Sequence, residues 1–216
     1  DLFRIYERNQ VVLLELFSST LTQESIEIND LIDTEPQFSG NDILKINYFT
    51  DLENNGDSID VINQRNTSEP GAKVAFYGIG EVPSISISGD ANSAMSSQID
   101  VINAKLANAR LNNPAFDISL NASVDGSGNL IVDADYTATT PFTELQEVAL
   151  LIAVVEPVVT LTENMGRYET GETIQNVLRK ILPDAAGQYE AGPIATSGIR
   201  SLETITWPIS EMYDRS

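Results

Sequence analysis

The sequence predicts an α/β domain followed by an all-β domain, with the change of class near residue 112. Three observations carry this. Residues 11–17 are apolar except for Glu15, as expected of a central strand covered on both faces. Residues 98–111 place Ile99, Ile102, Leu106 and Ala109 at helical spacing, and Asn112-Asn113-Pro114 stops that helix. Beyond Pro114 the apolar period becomes alternation, with turn signals between short runs. The expected domains are therefore 1–112 and 113–216.

Taken in order, the strand at 11–17 is followed by a small-residue turn and a short helix carrying Ile26, Ile28, Leu31 and Ile32. Ser or Thr in that turn can cap the helix, and Pro36 ends it. Residues 43–49 alternate and read as a second strand. An acidic Asn/Gly-rich loop covers 50–60, helical pieces fit 58–65 and 70–77, and a third strand fits 84–88 after Val82-Pro83. In the second half, 116–124 and 130–136 form a hairpin around Asp125-Gly126-Ser127-Gly128-Asn129. Residues 148–155 read as a fully apolar strand, continued past Pro157 by 158–161. Further strands fit 174–182 and 201–209, the last containing Trp207. Five or more short strands over this half suggest a β-sandwich of immunoglobulin or fibronectin III type.

Composition narrows the function. The chain has 216 residues and a net charge of −20, from 32 acidic against 12 basic side chains. A nucleic-acid partner requires a basic footprint, so the charge argues strongly against binding through phosphates, and against electrostatic docking on an anionic leaflet. There is no histidine and no cysteine. That removes the commonest general base, the commonest zinc ligand and any Ser-His-Asp or Cys-His site within the chain. The longest apolar run, 148–155, is far short of the ~20 residues that span a bilayer. The chain opens at Asp1 without an initiator Met, and reads as a processed or trimmed form with room for targeting information or a lipid anchor upstream.

Two sets of residues carry a resemblance. The strand at 11–17 runs into Ser18-Ser19-Thr20-Leu21-Thr22-Gln23-Glu24-Ser25, and Phe76-Tyr77-Gly78-Ile79-Gly80-Glu81-Val82-Pro83 precedes an alternating strand. This layout resembles a thioredoxin-like domain, in which a Cys-x-x-Cys turn after a strand faces a cis-proline loop. Over the whole chain the sequence is similar to the Omp28-related outer-membrane proteins of Bacteroidota. The matching segments are Arg8 to Ser19, Tyr77 to Pro83, and Asn176-Val177-Leu178-Arg179-Lys180-Ile181-Leu182-Pro183. The resemblance implies an exported protein, associated with the outer membrane or cell surface, with a thioredoxin-like domain and an Ig-like sandwich. On the positional match Leu21 stands for a Trp, and Thr22 and Ser25 stand where the two cysteines would be. The sulfur chemistry is missing at both.

Candidate sites follow. Thr22 and Ser25 could act as hydroxyl nucleophiles only with a base, for which Lys45 or Lys73 would have to serve; the plainer reading is helix capping. Val82 and Pro83 are the peptide-facing loop that the resemblance implies, with Pro83 expected to be cis; alternatively Pro83 only shapes the turn. Asp51, Glu53, Asn55 and Asp57 open like a calcium loop, but the twelfth position would be Ile62 rather than a bidentate Glu. Asp125 to Asn129 is turn chemistry. Glu15 and Glu156 are carboxylates in or beside apolar strands, where burial can raise a pKa. Arg179 and Lys180 either pair internally or mark an interface. Met212 and Tyr213 could anchor an interface, and Trp207 fits a core position.

The expectation is a non-catalytic accessory or interaction subunit with no cofactor. Its partners would be other envelope or outer-membrane proteins, in an outer-membrane or secretion assembly. A calcium-assisted adhesin or peptide-binding module, and a hydroxyl- or carboxylate-based enzyme, are the alternatives.

Overall fold

The computed structural model describes residues 10–52, 60–90, 99–140, 148–190, 194 and 198–209. They divide into two compact units. The first comprises Asp1–Asn113 and Val155–Lys180, the second Pro114–Val154 and Ile181–Ser216.

In the first unit, β1 (Val12–Ser18) leads into α1 (Gln23–Thr34), which stops at Glu35 before a 3-10 turn begins at Pro36. Next come β2 (Ile43–Phe49), α2 (Val61–Arg65), α3 (Ser68–Tyr77), β3 (Ser84–Ile87) and α4 (Ile99–Arg110). β1 and β2 are parallel, in register from Val12↔Ile43 to Ser18↔Phe49, so a crossover must join them, and α1 supplies it. β3 lies antiparallel to β1 on its other side, entered through a cis Val82–Pro83 bond.

Alternation along β1 sends its residues to two faces. Val12, Leu14 and Leu16 pack with Ile28 and Ile32 of α1 and Ile102, Leu106 and Ala109 of α4. Glu15 and Phe17 face the other way, where Tyr48 of β2 and Tyr77 of α3 meet them.

The sheet is completed by two strands from late in the chain. Its order is β3-β1-β2-β8-β7, where β7 is Ile152–Thr160 and β8 is Thr173–Leu182. β8 joins β2 in parallel at Asn47↔Val177. The expected division at 112/113 thus differs from the compact units. The cause is burial: Leu161, Ile174 and Val177 share an apolar cluster with Phe49 and Ile62, so 155–180 return to the first unit. The expected single strand at 148–155 also divides. β6 (Val148–Leu150) pairs with β9 (Gln188–Glu190), while β7 takes β8, and Leu151 between them is exposed.

The second unit holds a four-stranded sheet centred on β5 (Asn129–Ala138). β4 (Phe116–Val124) pairs along one side of β5, and β10 (Arg200–Ser201) and β11 (Ile205–Pro208) along the other. Val132, Ala134, Ile152, Leu182, Leu202 and Trp207 form its core. Two strands expected in a C-terminal sandwich, β7 and β8, therefore serve the first sheet instead.

Candidate functional site

The turn from β1 to α1 is built of small polar residues and is sealed. Ser18, Ser19, Thr20 and Ser25 are all fully buried. Thr22 occupies the N-cap position with extended backbone, yet its hydroxyl accepts no helix N–H. It donates instead to Ser25 Oγ at 2.7 Å, and Ser25 Oγ also accepts the Ser19 N–H at 3.1 Å. The structure thus brings Thr22 and Ser25 together. Their hydroxyls are spent on each other and on the backbone.

Asp60 holds the same turn from the far side. Its Oδ1 accepts the N–H groups of Ile62 and Asn63, each at 3.0 Å, and so caps α2. Its Oδ2 accepts the Thr20 N–H at 2.6 Å and the Ser19 hydroxyl at 3.1 Å. Sequence reading missed this residue, although an Asp directly before the Val-Ile-Asn of a short helix is a legible N-cap signal. Asn29 extends the network. Its Nδ2 reaches the Ser25 carbonyl at 2.9 Å, and its Oδ1 accepts from Asn47 Nδ2 at 2.7 Å.

The segment between β7 and β8 lies over the turn. Arg167 donates its backbone N–H to the Thr20 carbonyl and its Nε–H to the Leu21 carbonyl, both at 2.8 Å. Gly166 has φ +61, and a Cβ there would stand 2.2 Å from the Thr20 carbonyl oxygen. Only glycine fits, both for its left-handed backbone and for the closeness of approach. Tyr168 is buried beside it, and its hydroxyl accepts from Asn29 Nδ2 at 3.2 Å. Burial pushes the Tyr168 phenol above its ordinary range. The chain's own backbone thus covers the turn.

The bases that a hydroxyl nucleophile would need are engaged elsewhere. Lys45 donates to the Ile32 carbonyl at 2.9 Å and pairs with Asp33 at 3.3 Å. Lys73 lies 3.6 Å from Glu15, over the Phe76 and Tyr77 rings. Glu15 is fully buried and accepts from Tyr48 at 2.9 Å and Tyr77 at 2.5 Å. Burial first, and then Glu15, push both phenols up, so they remain protonated donors. This is a carboxylate satisfied inside a core, with Phe17 stacked on Tyr48 at 5.0 Å between ring centres.

The side chains of Val82 and Pro83 are both buried, and the bond between them is cis. Asp51 is exposed, while Glu53, Asn55 and Asp57 lie outside the described residues. Among the described residues no group of three acidic side chains could hold a metal ion. Asp125 accepts the N–H groups of Ser127 and Asn129 at 2.8 and 2.9 Å, which is the turn chemistry expected of it. Those backbone and side-chain hydrogen bonds hold its carboxyl below the usual range.

Both members of the basic pair have carboxylate partners within the chain. Arg179 binds Glu156 through Nε at 2.8 Å, and Lys180 pairs with Glu69. Burial raises Glu69, but hydrogen bonds from Lys180 and Ser68 outweigh it and hold the carboxyl below its ordinary range. Glu15 and Glu156 have separate partners and do not act as a pair. Trp207 is in the second unit's core, while Met212 and Tyr213 lie outside the described residues.

No protein-family model matches the sequence, and no curated protein matches it. Two solved structures are similar. HBP35 of Porphyromonas gingivalis, a member of the Bacteroidota, matches with a TM-score of 0.62 at 15% identity, over 95% of this chain and 66% of that one. This chain therefore spans just under two thirds of the HBP35 chain. A protein from Agrobacterium tumefaciens matches with a TM-score of 0.54 at 13% identity, over 94% of this chain and 81% of that one. At these identities the likeness is one of fold.

Proposed function

We propose that this chain is a non-catalytic binding subunit of a bacterial cell envelope, an exported protein that works beside other outer-membrane or surface proteins. One observation carries the reading. The turn that the resemblance aligns with a Cys-x-x-Cys segment holds Thr22 and Ser25, hydrogen-bonded to each other and overlaid by Gly166 and Arg167. A site that is closed by its own chain and lacks a free base is a packing element, which leaves surfaces to do the work. The fold likeness to a Bacteroidota protein supports the proposed setting, in agreement with the Omp28-related resemblance. No helix among the described residues is long and apolar enough to cross a membrane. The proposed association runs through partner proteins or a lipid anchor.

The test is extraction of native membranes in mild detergent, purification through a tag on this chain and quantitative mass spectrometry with and without crosslinking. Recovery in fixed stoichiometry with an envelope protein is expected. Recovery alone from the soluble fraction, with no crosslinked neighbour, would overturn the reading.

A further inference from the structure

β2 and β8 register at one pair, Asn47↔Val177. Directly before it Asn176 has φ +55, a left-handed backbone that is uncommon within a strand. A small cavity lies at this point against α1. Its polar lining comes from Asn29, Asp33, Lys45, Asn47, Gln175 and Asn176. It is partly open to solvent and has room for about one group the size of a water molecule.

The hydrogen bonds of this cavity run in one direction. Asn29 Nδ2 donates to the Ser25 carbonyl, so its Oδ1 is the acceptor that meets Asn47. Asn47 presents Nδ2 to that oxygen at 2.7 Å, which leaves its own Oδ1 as an acceptor. Turning the Asn47 amide over would set oxygen against oxygen. Asn47 is 4% exposed, and its Oδ1 has no partner among the described residues. A buried acceptor beside a cavity calls for a donor within it.

The surrounding charge tells which donor fits. α1 ends here with no basic residue in its last turn, so its carbonyl end is negative. Glu172 acts on Asp30, Asp30 acts on Asp33, and Lys45 is the cation that opposes them. Lys45 is already engaged by the Ile32 carbonyl and by Asp33 Oδ1. Burial pushes the Asp33 carboxyl above its ordinary range, and Lys45 offsets this only in part. The site is therefore short of positive charge, which selects a cationic donor over a neutral one.

We propose that this cavity is a pocket for one primary ammonium group, carried by a small amine or by a lysine side chain of another protein. One N–H meets Asn47 Oδ1, and the others turn to the side-chain oxygens of the half-buried Gln175 and Asn176. Asp30 and Asp33 balance the charge. The assignment goes beyond the binding reading above and does not depend on it.

The probe is methylammonium chloride, titrated into the purified full chain and followed by NMR through the backbone amides at positions 47 and 177. Tetramethylammonium chloride and potassium chloride at equal ionic strength are the controls. Methylammonium is expected to bind about tenfold more tightly than either control ion. Equal responses to all three would overturn the proposal. Nα-acetyl-lysine amide is the second probe. Its binding at the same amides assigns the pocket to a protein side chain, and its failure beside a positive methylammonium result assigns it to a small amine; both outcomes keep the ammonium pocket. Asn47→Leu removes the acceptor and should weaken methylammonium about tenfold, and unchanged binding would overturn the proposal. If that variant fails to fold, Asn176→Gly decides, because glycine keeps the left-handed backbone and removes one side-chain oxygen. It should weaken binding about threefold, and no change would overturn the proposal. The assay uses purified chain, so its failure is separate from an absence of envelope partners in the membrane extraction.

Discussion

The β1–α1 turn of the first unit and the β4 edge of the second invert the usual rule of burial. At the turn, polar groups that could carry chemistry are engaged inside the chain: the Ser19 hydroxyl and the Thr20 N–H bond to Asp60, the Thr22 hydroxyl and the Ser19 N–H to Ser25 Oγ, and the Thr20 carbonyl to Arg167. At the edge, Ile118, Leu120 and Val124 could fill a core and are left in solvent. Burying polar groups is stable only when each finds a partner, and exposing apolar ones is costly unless something covers them. The contrast teaches that hydroxyls at a strand-to-helix turn can serve as a structural joint while apolar side chains of a neighbouring sheet stay in solvent.

Four substitutions or conditions can break or sharpen that contrast. The largest effect is expected from Glu15→Ala. It removes the common acceptor of Tyr48 and Tyr77 and strands Lys73 beside them, and should cost about 3–5 kcal/mol in urea unfolding, as loss of one partner of a buried charged network does. Glu15→Gln should cost less because one acceptor remains. A small loss for Glu15→Ala would mean that this carboxylate is not the core element described.

Gly166→Ala comes next. A side chain at φ +61 that also runs into the Thr20 carbonyl should cost about 2–4 kcal/mol and lift the cover from the turn. Accelerated exchange of the Thr20 and Arg167 amides would accompany it. An unchanged midpoint would remove the claim that the cover is tightly seated.

The third is a dependence on pH. Glu69 is held below its ordinary range in the fold, so its contribution is present above the unfolded pKa of about 4.3 and is lost as pH falls through the folded value. The stability difference between wild type and Glu69→Gln should therefore be about 1 kcal/mol at neutral pH, because Lys180 is partly exposed, and should vanish at the acid end. A difference that grows on acidification would contradict the assignment.

The smallest effect belongs to the edge. Leu120→Asn should change stability by no more than about 0.5 kcal/mol, since the side chain is already in solvent. A large loss would show that β4 is packed after all.

Local pattern made much of this legible. The alternation of 43–49 became β2, the spacing of Ile102, Leu106 and Ala109 put those three on the buried side of α4, and the Asp125–Asn129 turn formed as its chemistry dictates. What sequence could not reveal was the choice of long-range partner. An apolar run such as 148–155 suits either sheet, and it splits at Leu151 because β6 and β7 pair with different strands. The return of 155–180 to the first unit rests on the burial of Leu161, Ile174 and Val177 against Phe49, which no local period encodes. For the same reason Thr22 and Ser25 could be singled out from the turn in sequence, whereas their cover, residues 166–168, could not. The alternation of β4 showed an apolar face but not that it lies open.

Residue-resolved amide hydrogen exchange on the free chain tests the closed turn most directly, because it reads each backbone group there separately. The amides of Ser19, Thr20 and Arg167 are expected to exchange slowly, held by Ser25 Oγ, by Asp60 and by the Thr20 carbonyl. Rapid exchange at these amides would contradict the account, since the turn would then be open.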